Sequence, residues 1–179
     1  NDGEHLSAFY YVGGSLGVTL AGDFLTLFLF WEIMAFSSVF LVWYRKISSS
    51  VDSGFRYLLW HVIGGLILFS GIMIYYSVSG DLSIQHLPFN GWWPTDIQSL
   101  ATFLILIGFI VNAAVPPFGA WLPDAYPAAT VTGAVFMSAF TTKTAVYALI
   151  RVCAGSEILI ILGVVMAIYG VVYAVLEND

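Results

Sequence analysis

The sequence has very little charge, and it is especially short of basic residues. Only 9% of its 179 residues are charged, with five Lys and Arg against eleven Asp and Glu. A soluble domain usually carries about 25% charged residues. So few charges cannot solvate the surface of a globule of this size, which excludes a soluble enzyme and a disordered chain. The shortage of basic residues excludes a nucleic-acid partner.

Cysteine is nearly absent, and so are the usual catalytic motifs. The one cysteine, Cys153, can neither form an internal disulfide nor supply a metal cluster. The sequence has no phosphate-binding glycine loop, no nucleophile elbow and no haem or iron–sulfur ligand pattern. We therefore expect no cofactor in this chain. Any oxidoreductase activity would belong to a complex that contains it, so whether the chain is part of an enzyme stays open.

In place of charge, the sequence has long apolar runs. Sixty per cent of its residues are hydrophobic, and about 20 apolar residues suffice for a helix to cross a bilayer. The run from 6 to 44 is interrupted only by Asp23 and Glu32, which fits two helices with Asp23 as the cap of the second. We predict an all-α integral membrane protein with about six transmembrane helices in one membrane domain, 1–179. The predicted helices are 6–22, 23–44, 56–78, a broken helix (99–113 and 118–126), 128–151 and 156–176.

The fourth of these helices is predicted to be broken at Pro116-Pro117. A proline pair ends a helix. The apolar run before this pair is barely long enough to span a bilayer. The next segment, FGAWLPDAYPAAT (118–130), is unusually apolar for a loop and has no Lys or Arg. Transporters place such discontinuous helices at their binding sites. A plain interfacial loop is the alternative interpretation.

The distribution of basic residues predicts the orientation. The connection 45–56 holds Arg45, Lys46 and Arg56, whereas the connection 79–97 holds no basic residue. By the positive-inside rule, 45–56 faces the cytoplasm, or the matrix of an organelle. We expect a multi-pass protein of a bacterial or archaeal plasma membrane, with an organellar inner membrane as the alternative.

Two charged residues fall in the middle of predicted spans. A charge at the bilayer centre costs roughly 2.5–3.5 kcal/mol even on insertion scales. Each of these two charged residues is therefore expected to have a structural or functional role. Glu32 is interpreted as a protonatable site, with a structural carboxylate held by a static partner as the alternative. Lys143 lies among hydroxyl side chains that can line a hydrated path, and lysine can relay protons. Its alternative is a static ion pair with Glu32.

Weaker candidates flank these two residues. Asn112 lies just before the break, where it either caps the helix or orients water. His61 is either a relay or a neutral histidine bonded to a neighbouring helix. Gly13, Gly14 and Gly17 predict close packing of the first helix.

Three stretches of the sequence point to a family. DFLTLFLFWEIMAFSSVFLVWY (23–44) resembles the fifth helix of the antiporter-like subunits of NADH:quinone oxidoreductase (complex I), multisubunit Na+/H+ antiporters and membrane-bound hydrogenases. NAAVPPFGAWLPDAYPAATVTGAVFMSAFTTKTAVYALIR (112–151) resembles the broken seventh helix and the eighth, with WLPDA, which contains Asp124, as a specific part. The final YGVVYAVLEND is similar to the stretch before the family's next segment. The resemblance implies a fragment, helices four to nine, of a subunit with about fourteen helices.

The resemblance also implies roles for individual residues. Glu32 matches the family's essential glutamate, and Lys143 matches the lysine that passes protons onward. The lysine that usually pairs with the glutamate is Asn112 here, and a histidine often found after the break is Gly119. These departures leave three possibilities: Lys143 or His61 substitutes, the subunit handles another ion, or pumping has been lost.

The resulting hypothesis is translocation of protons, or of sodium and protons, by a subunit of a complex I-like or Mrp-type assembly. The expected partners are other membrane subunits, the lipid bilayer, and protons or Na+. One alternative is a structural, non-conducting subunit of a respiratory or hydrogenase complex. Another is an unrelated solute carrier with a midplane site, which predicts an inverted repeat.

Overall fold

The chain is all-helical, as predicted. The computed structural model describes residues 2–87, 89 and 91–176, and among these the β structure is limited to one isolated bridge between Asp23 and Ser83. Four helices, α2, α3, α6 and α7 below, are long and apolar enough to cross a membrane, and α4 is a shorter apolar helix. The helices are α1 (Asp2–Leu20), α2 (Phe24–Trp43), α3 (Ser48–Ser79), α4 (Ile97–Asn112), α5 (Trp121–Ala128), α6 (Val131–Cys153) and α7 (Glu157–Leu176).

The joint between α1 and α2 lies where the sequence placed it. The Asp23 carboxylate accepts hydrogen bonds from the backbone N–H and the hydroxyl of Thr26, both at 2.7 Å, and so caps α2. A Cβ atom at Gly14 would lie 2.9 Å from the backbone nitrogen of Met34, whereas one at Gly13 would touch nothing. Close packing of α1 on α2 is therefore confirmed, although Gly13 takes no part in it.

The polar connection between the second and third helices is shorter than the predicted range 45–56. Helix α3 begins at Ser48 and not near residue 56, so that Arg56 lies on the helix. Serine and aspartate are favourable near a helix start, and no proline interrupts this run. At 1.5 Å per residue α3 is about 48 Å long, which exceeds the roughly 30 Å of the hydrocarbon core. At least one end of α3 therefore extends beyond that core.

The broken helix is confirmed, but the break begins before the prolines. Helix α4 ends at Asn112, and a short 3-10 turn, Phe118–Ala120, leads into α5. Pro116 has no N–H to donate to the carbonyl of Asn112, four residues earlier, so the α-helical pattern stops there. The segment after the break is helical over Trp121–Ala128. The alternative interpretation, a plain interfacial loop, is therefore wrong.

Helices α3 and α4 are in close contact through two glycines. A Cβ atom at Gly108 would lie 2.6 Å from the Cβ of Leu68, and one at Gly71 would lie 2.7 Å from the backbone nitrogen of Ile105. Small residues let helix backbones approach in this way. The surrounding buried cluster reaches from α2 to Cys153 at the end of α6.

The connection between α3 and α4 crosses one end of the bundle. Its backbone bonds to the α1–α2 turn (Phe24 N–H to the Leu82 carbonyl, 2.8 Å) and to the end of α6 (Leu87 N–H to the Val152 carbonyl, 2.6 Å). Phe89, buried, donates its N–H to Ser156 Oγ at 2.8 Å. We call residues 82–89, of which Pro88 is outside the described residues, the strap, because they tie the two helix turns together.

Candidate functional site

Glu32 lies on α2 with its carboxylate against α3. A Cβ atom at Gly65 would overlap Glu32 Oε1, so the absence of a side chain there leaves room for the carboxylate. Glu32 is half-buried, and its Oε1 has no hydrogen-bond partner among the described residues. The static partner considered for this carboxylate is therefore not present in the described part of the chain.

A groove between α1 and α2 reaches Glu32. Its volume is about 720 Å3. It extends from Glu32 towards Gly3 and Tyr44, at the end of the bundle that carries the Arg45-Lys46 connection. The other lining residues are Leu6, Ser7, Tyr10, Leu29, Ile33, Phe36, Ser37 and Phe40. Glu32 thus joins an open apolar groove to the interior of the bundle.

Asn112 lies against Gly64, the glycine that precedes Gly65 on α3. A Cβ atom at Gly64 would lie 3.2 Å from Asn112 Oδ1. Consecutive Cα atoms are about 3.8 Å apart, so the two polar side chains flank neighbouring positions of α3. Asn112 is fully buried, and neither its Oδ1 nor its Nδ2 has a hydrogen-bond partner among the described residues. The interpretation of this side chain as a helix cap is therefore wrong.

His61 completes the group, one turn earlier on α3. Its Nδ1 lies 3.0 Å from the carbonyl of Tyr57 on the same helix, and its buried Nε2 has no partner in the described part of the chain. The expected bond to a neighbouring helix is not formed. His61 instead packs edge-on against Trp121, with ring centroids 4.6 Å apart. Trp121 donates its indole N–H to the carbonyl of Val111 at 3.0 Å, which fixes α5 against the end of α4.

Four side chains of α2, α3 and α4 thus carry buried polar atoms that find no protein partner in the described chain. They are Trp31 (Nε1), Glu32, His61 and Asn112. Each unsatisfied buried group costs roughly 1–3 kcal/mol, so a cluster of them indicates a place for water or an ion. Sequence reasoning missed Trp31, although its position beside Glu32 on a buried helix was a usable signal.

Lys143 is not part of this cluster. It is exposed on α6, between the buried Thr142 and Thr144. The Thr144 hydroxyl pairs with the Ser15 hydroxyl of α1 at 2.7 Å, which shows that this face of α6 turns inward while Lys143 turns outward. Among the described residues the salt bridges comprise a single pair, Arg56–Asp124. The static Glu32–Lys143 pair considered from the sequence is therefore wrong.

Asp124 holds the half-helix α5 against α3. Its Oδ1 and Oδ2 accept from Nη2 and Nε of Arg56, each at 2.8 Å, and Oδ1 also accepts from Ser53 Oγ at 3.0 Å. The Arg56 guanidinium holds the pKa of Asp124 below its usual value. Gly119, just before α5, lies so close to the Ala114 carbonyl that a Cβ there would overlap it. A histidine side chain at this position would therefore not fit without rearrangement.

Replacing Asp124 with asparagine is expected to destabilise the docking of α5 by about 1 kcal/mol or less, since the ion pair is partly exposed. Because the folded-state pKa is lowered, the carboxylate stabilises the fold above its unfolded pKa of about 3.9, and that contribution disappears as the pH falls through the folded value. Thermal unfolding of the full-length subunit at pH 7 and at pH 3 measures this. The difference between Asp124→Asn and the native protein should be present at pH 7 and smaller at pH 3. A difference of the same size at both values would contradict the ion-pair explanation.

An all-helical membrane chain with a discontinuous helix, and with a half-buried carboxylate that is unpaired within the described residues, has the architecture of a membrane transporter. Residues 21–179 match the sequence model of the NADH:quinone oxidoreductase/Mrp antiporter transmembrane family. The chain belongs to this family, and the resemblance drawn from its sequence is confirmed.

Curated relatives include Na+/H+ antiporter subunits of staphylococci. The chain is 34% identical over 160 residues to Na(+)/H(+) antiporter subunit A1 of Staphylococcus epidermidis, covering 83% of this chain and 20% of that protein. It is 35% identical over 159 residues to the same subunit of Staphylococcus saprophyticus, covering 83% and 19%. The chain therefore spans about one fifth of the length of these relatives.

Solved structures share the fold. The membrane-bound sulfane sulfur reductase, an archaeal respiratory membrane complex, matches with 31% identity and a TM-score of 0.76 over 92% of this chain and 35% of that chain. The Mrp complex from Dietzia sp. matches with 28% identity and a TM-score of 0.70, over 80% and 27%. Respiratory complex I from Thermus thermophilus gives a TM-score of 0.86 over 100% and 40%, and at 22% identity this supports the fold alone.

Proposed function

We propose that this chain is the central part of an ion-translocating membrane subunit, and that Glu32 binds the ion, a proton or Na+, in transit. The observation that carries the proposal is the buried Oε1 of Glu32, which has no protein partner in the described chain and lies beside the end of the broken helix. Discontinuous helices beside intramembrane carboxylates are typical of ion sites. The family supports the same function, because its curated relatives are named as Na+/H+ antiporter subunits.

The ion would reach Glu32 along the groove between α1 and α2, from the end that carries the basic connection. His61 and Asn112 would line a further part of its path, next to Glu32 along α3 and towards the Ser48 end of that helix. Lys143, turned outward on α6, would pass charge to a neighbouring part of the assembly and not to Glu32 directly. The Pro116-Pro117 break and the Asp124 ion pair hold the half-helix that closes this path.

The subunit would work in a multisubunit complex, with other membrane subunits and lipid as its partners. The similar solved structures are multisubunit membrane complexes, which supports this assembly. Staphylococcal and archaeal matches favour a bacterial or archaeal plasma membrane. Redox chemistry would reside in other subunits, if the parent complex has any.

Replacing Glu32 with glutamine tests the function. Glutamine keeps the size of the side chain and removes its charge, so ion transport by vesicles that carry the complete assembly should fall to background, at least about tenfold, while Glu32→Asp retains part of the rate. The matched control is Glu157→Gln, an exposed acid at the start of α7 that should leave transport unchanged. Assembly is checked by co-purification of the partner subunits.

A non-conducting structural subunit is the second candidate. The observation in its favour is Asn112, an uncharged residue where the resemblance implies a lysine. An assembly that forms normally and transports at the native rate with Glu32→Gln would establish this second function and exclude the first.

A further inference from the structure

We infer that hydrogen-bonded hydroxyl pairs between α1 and α6 fix the rotation of α6 about its own axis and thereby hold Lys143 on the outer face of that helix. Thr141 and Thr144 are then positioning residues for Lys143. The inference rests on the proposed function and deepens it, because Lys143 can pass charge to a neighbouring part of the assembly only while it faces outward. It concerns side chains other than those around Glu32.

Two hydroxyl pairs join buried faces of α1 and α6. The Tyr11 hydroxyl is paired with that of Thr141, and Ser15 Oγ lies 2.7 Å from Thr144 Oγ1. All four side chains are buried. The partners are four residues apart on α1 and three apart on α6, and these spacings place side chains on one face of a helix. The two pairs are therefore successive contacts along one seam between the helices.

Further hydrogen bonds extend this seam towards both ends of α6. The backbone carbonyl of Thr19 accepts from the Tyr147 hydroxyl at 3.0 Å and from Arg151 Nη1 at 3.2 Å. Near the start of α1, Glu4 Oε1 accepts from Thr132 Oγ1 at 2.7 Å. Helix α6 is thus bonded to α1 along most of its length.

Apolarity alone does not select the rotation of α6. The helix is long and apolar enough to cross a membrane. Large apolar side chains lie on its exposed face, as Val135 and Ile150 do, as well as on its buried face, as Leu149 and Val152 do. Lipid is as apolar as these side chains, so helix packing in a membrane depends on close contact and interhelical hydrogen bonds. The hydroxyl pairs are directional contacts, and they are formed together in this one rotation of α6.

The same rotation determines which way Lys143 faces. Successive residues of an α-helix are about 100° apart around its axis, so Lys143 lies about 200° from Thr141 and about 100° from Thr144. Lys143 is exposed, together with Tyr147 and Ile150, which lie four and seven residues further along the helix. When both hydroxyl pairs are formed, Lys143 is therefore kept on the outer face. Without them α6 can turn, and Lys143 no longer has a fixed direction.

The experiment removes the two threonine hydroxyls and measures both the direction of residue 143 and transport, in vesicles that carry the complete assembly. Thr141→Val together with Thr144→Val keeps the shape of both side chains. Spin labels are attached through Lys143→Cys and through Leu20→Cys at the exposed end of α1, with native cysteines replaced. Their separation should change by at least about 3 Å, because a helical side chain lies about 5–6 Å from the helix axis. Transport, measured with Lys143 present, should fall at least about tenfold.

Two controls accompany the double valine variant. Thr141→Ser together with Thr144→Ser keeps both hydroxyls and should retain the native label separation and most of the transport. Thr102→Val removes the hydroxyl of another buried threonine, which bonds to the Gln98 carbonyl of its own helix at 3.2 Å. This second control should change neither the separation nor the transport.

A changed label separation with reduced transport supports the inference. An unchanged separation in the double valine variant overturns it, and so does native transport despite a changed separation. If that variant does not assemble, Ser15→Ala removes one hydroxyl pair from the side of α1 and is judged by the same two measurements. None of these results overturns the proposed function, which is excluded by native transport with Glu32→Gln, so the two failures are distinguishable.

Discussion

Replacing Gly65 with alanine is expected to reduce ion transport by roughly tenfold to a hundredfold, although no ionisable group is removed. The new methyl group would overlap Glu32 Oε1, which is the end of a flexible side chain. The carboxylate would therefore move and the helices would stay, because rotating a side chain costs much less than shifting a backbone. Alanine is also a better helix former than glycine, so the stability of α3 should not fall. Transport by vesicles that carry the complete assembly measures the effect.

The matched control is Gly13→Ala on α1. A Cβ atom at this position would touch nothing within 4 Å, so the substitution changes helix propensity alone. It should leave transport at the native rate and stabilise α1 by up to about 1 kcal/mol. If Gly65→Ala transports as fast as Gly13→Ala, the position of the Glu32 carboxylate is unimportant, and the site that we describe is wrong.

Replacing Gly108 with leucine is expected to cause the largest loss of stability. A Cβ atom at Gly108 would already lie 2.8 Å from the Cα of Leu68, so that α3 and α4 must separate. Overpacking of a core costs typically 1–3 kcal/mol, and here the obstacle is backbone as well as side chain. Cys153 belongs to the same buried cluster as Leu68, and its thiol is fully shielded. Labelling of Cys153 by a membrane-permeant maleimide should therefore be much faster in Gly108→Leu, with other cysteines of the full-length subunit replaced.

Gly163→Leu on α7 is the control for this substitution. The position is exposed, and a Cβ atom there would meet nothing within 4 Å. Cys153 should stay as unreactive as in the native subunit. Equal labelling of the Gly108 variant and this control would contradict close packing of α3 on α4.

The helices themselves could be predicted because a bilayer imposes a simple rule on apolar length. The joint at Asp23 and the break after Asn112 followed from local chemistry, a side-chain cap and a proline pair. The start of α3 could not be placed, because Ser48 to Ser53 are compatible with both a loop and a first helical turn. Propensity decides such ends only weakly.

The site was predicted as separate residues and not as an arrangement. Glu32, Asn112 and His61 were each recognisable from polarity inside an apolar run. Their association depends on Gly64-Gly65, which has no special pattern in the sequence. The pairing of Arg56 with Asp124 joins residues 68 positions apart and needs the fold.

For Lys143 the sequence was ambiguous in a different way. Hydroxyl residues surround it on α6, so that local polarity did not distinguish its inward face from its outward face. The structure turns Thr142 and Thr144 inward and Lys143 outward. No property of the segment alone could have separated the lysine from its neighbours.

The strap gives the bundle a fixed pivot. Backbone hydrogen bonds hold the α1–α2 turn and the end of α6 to residues 82–89. At the opposite end, the Leu41 carbonyl of α2 accepts a hydrogen bond from the Thr130 N–H at 3.2 Å, and Arg45 binds the carbonyl of Pro127, so this end of α2 would move together with the α5–α6 turn. Helix α2 is about 30 Å long, so a tilt of roughly 10° about the strap would move its far end by roughly 5 Å. Such a tilt would open and close the groove to Glu32 at the end of the bundle that carries the basic connection. The end that carries the strap would stay closed.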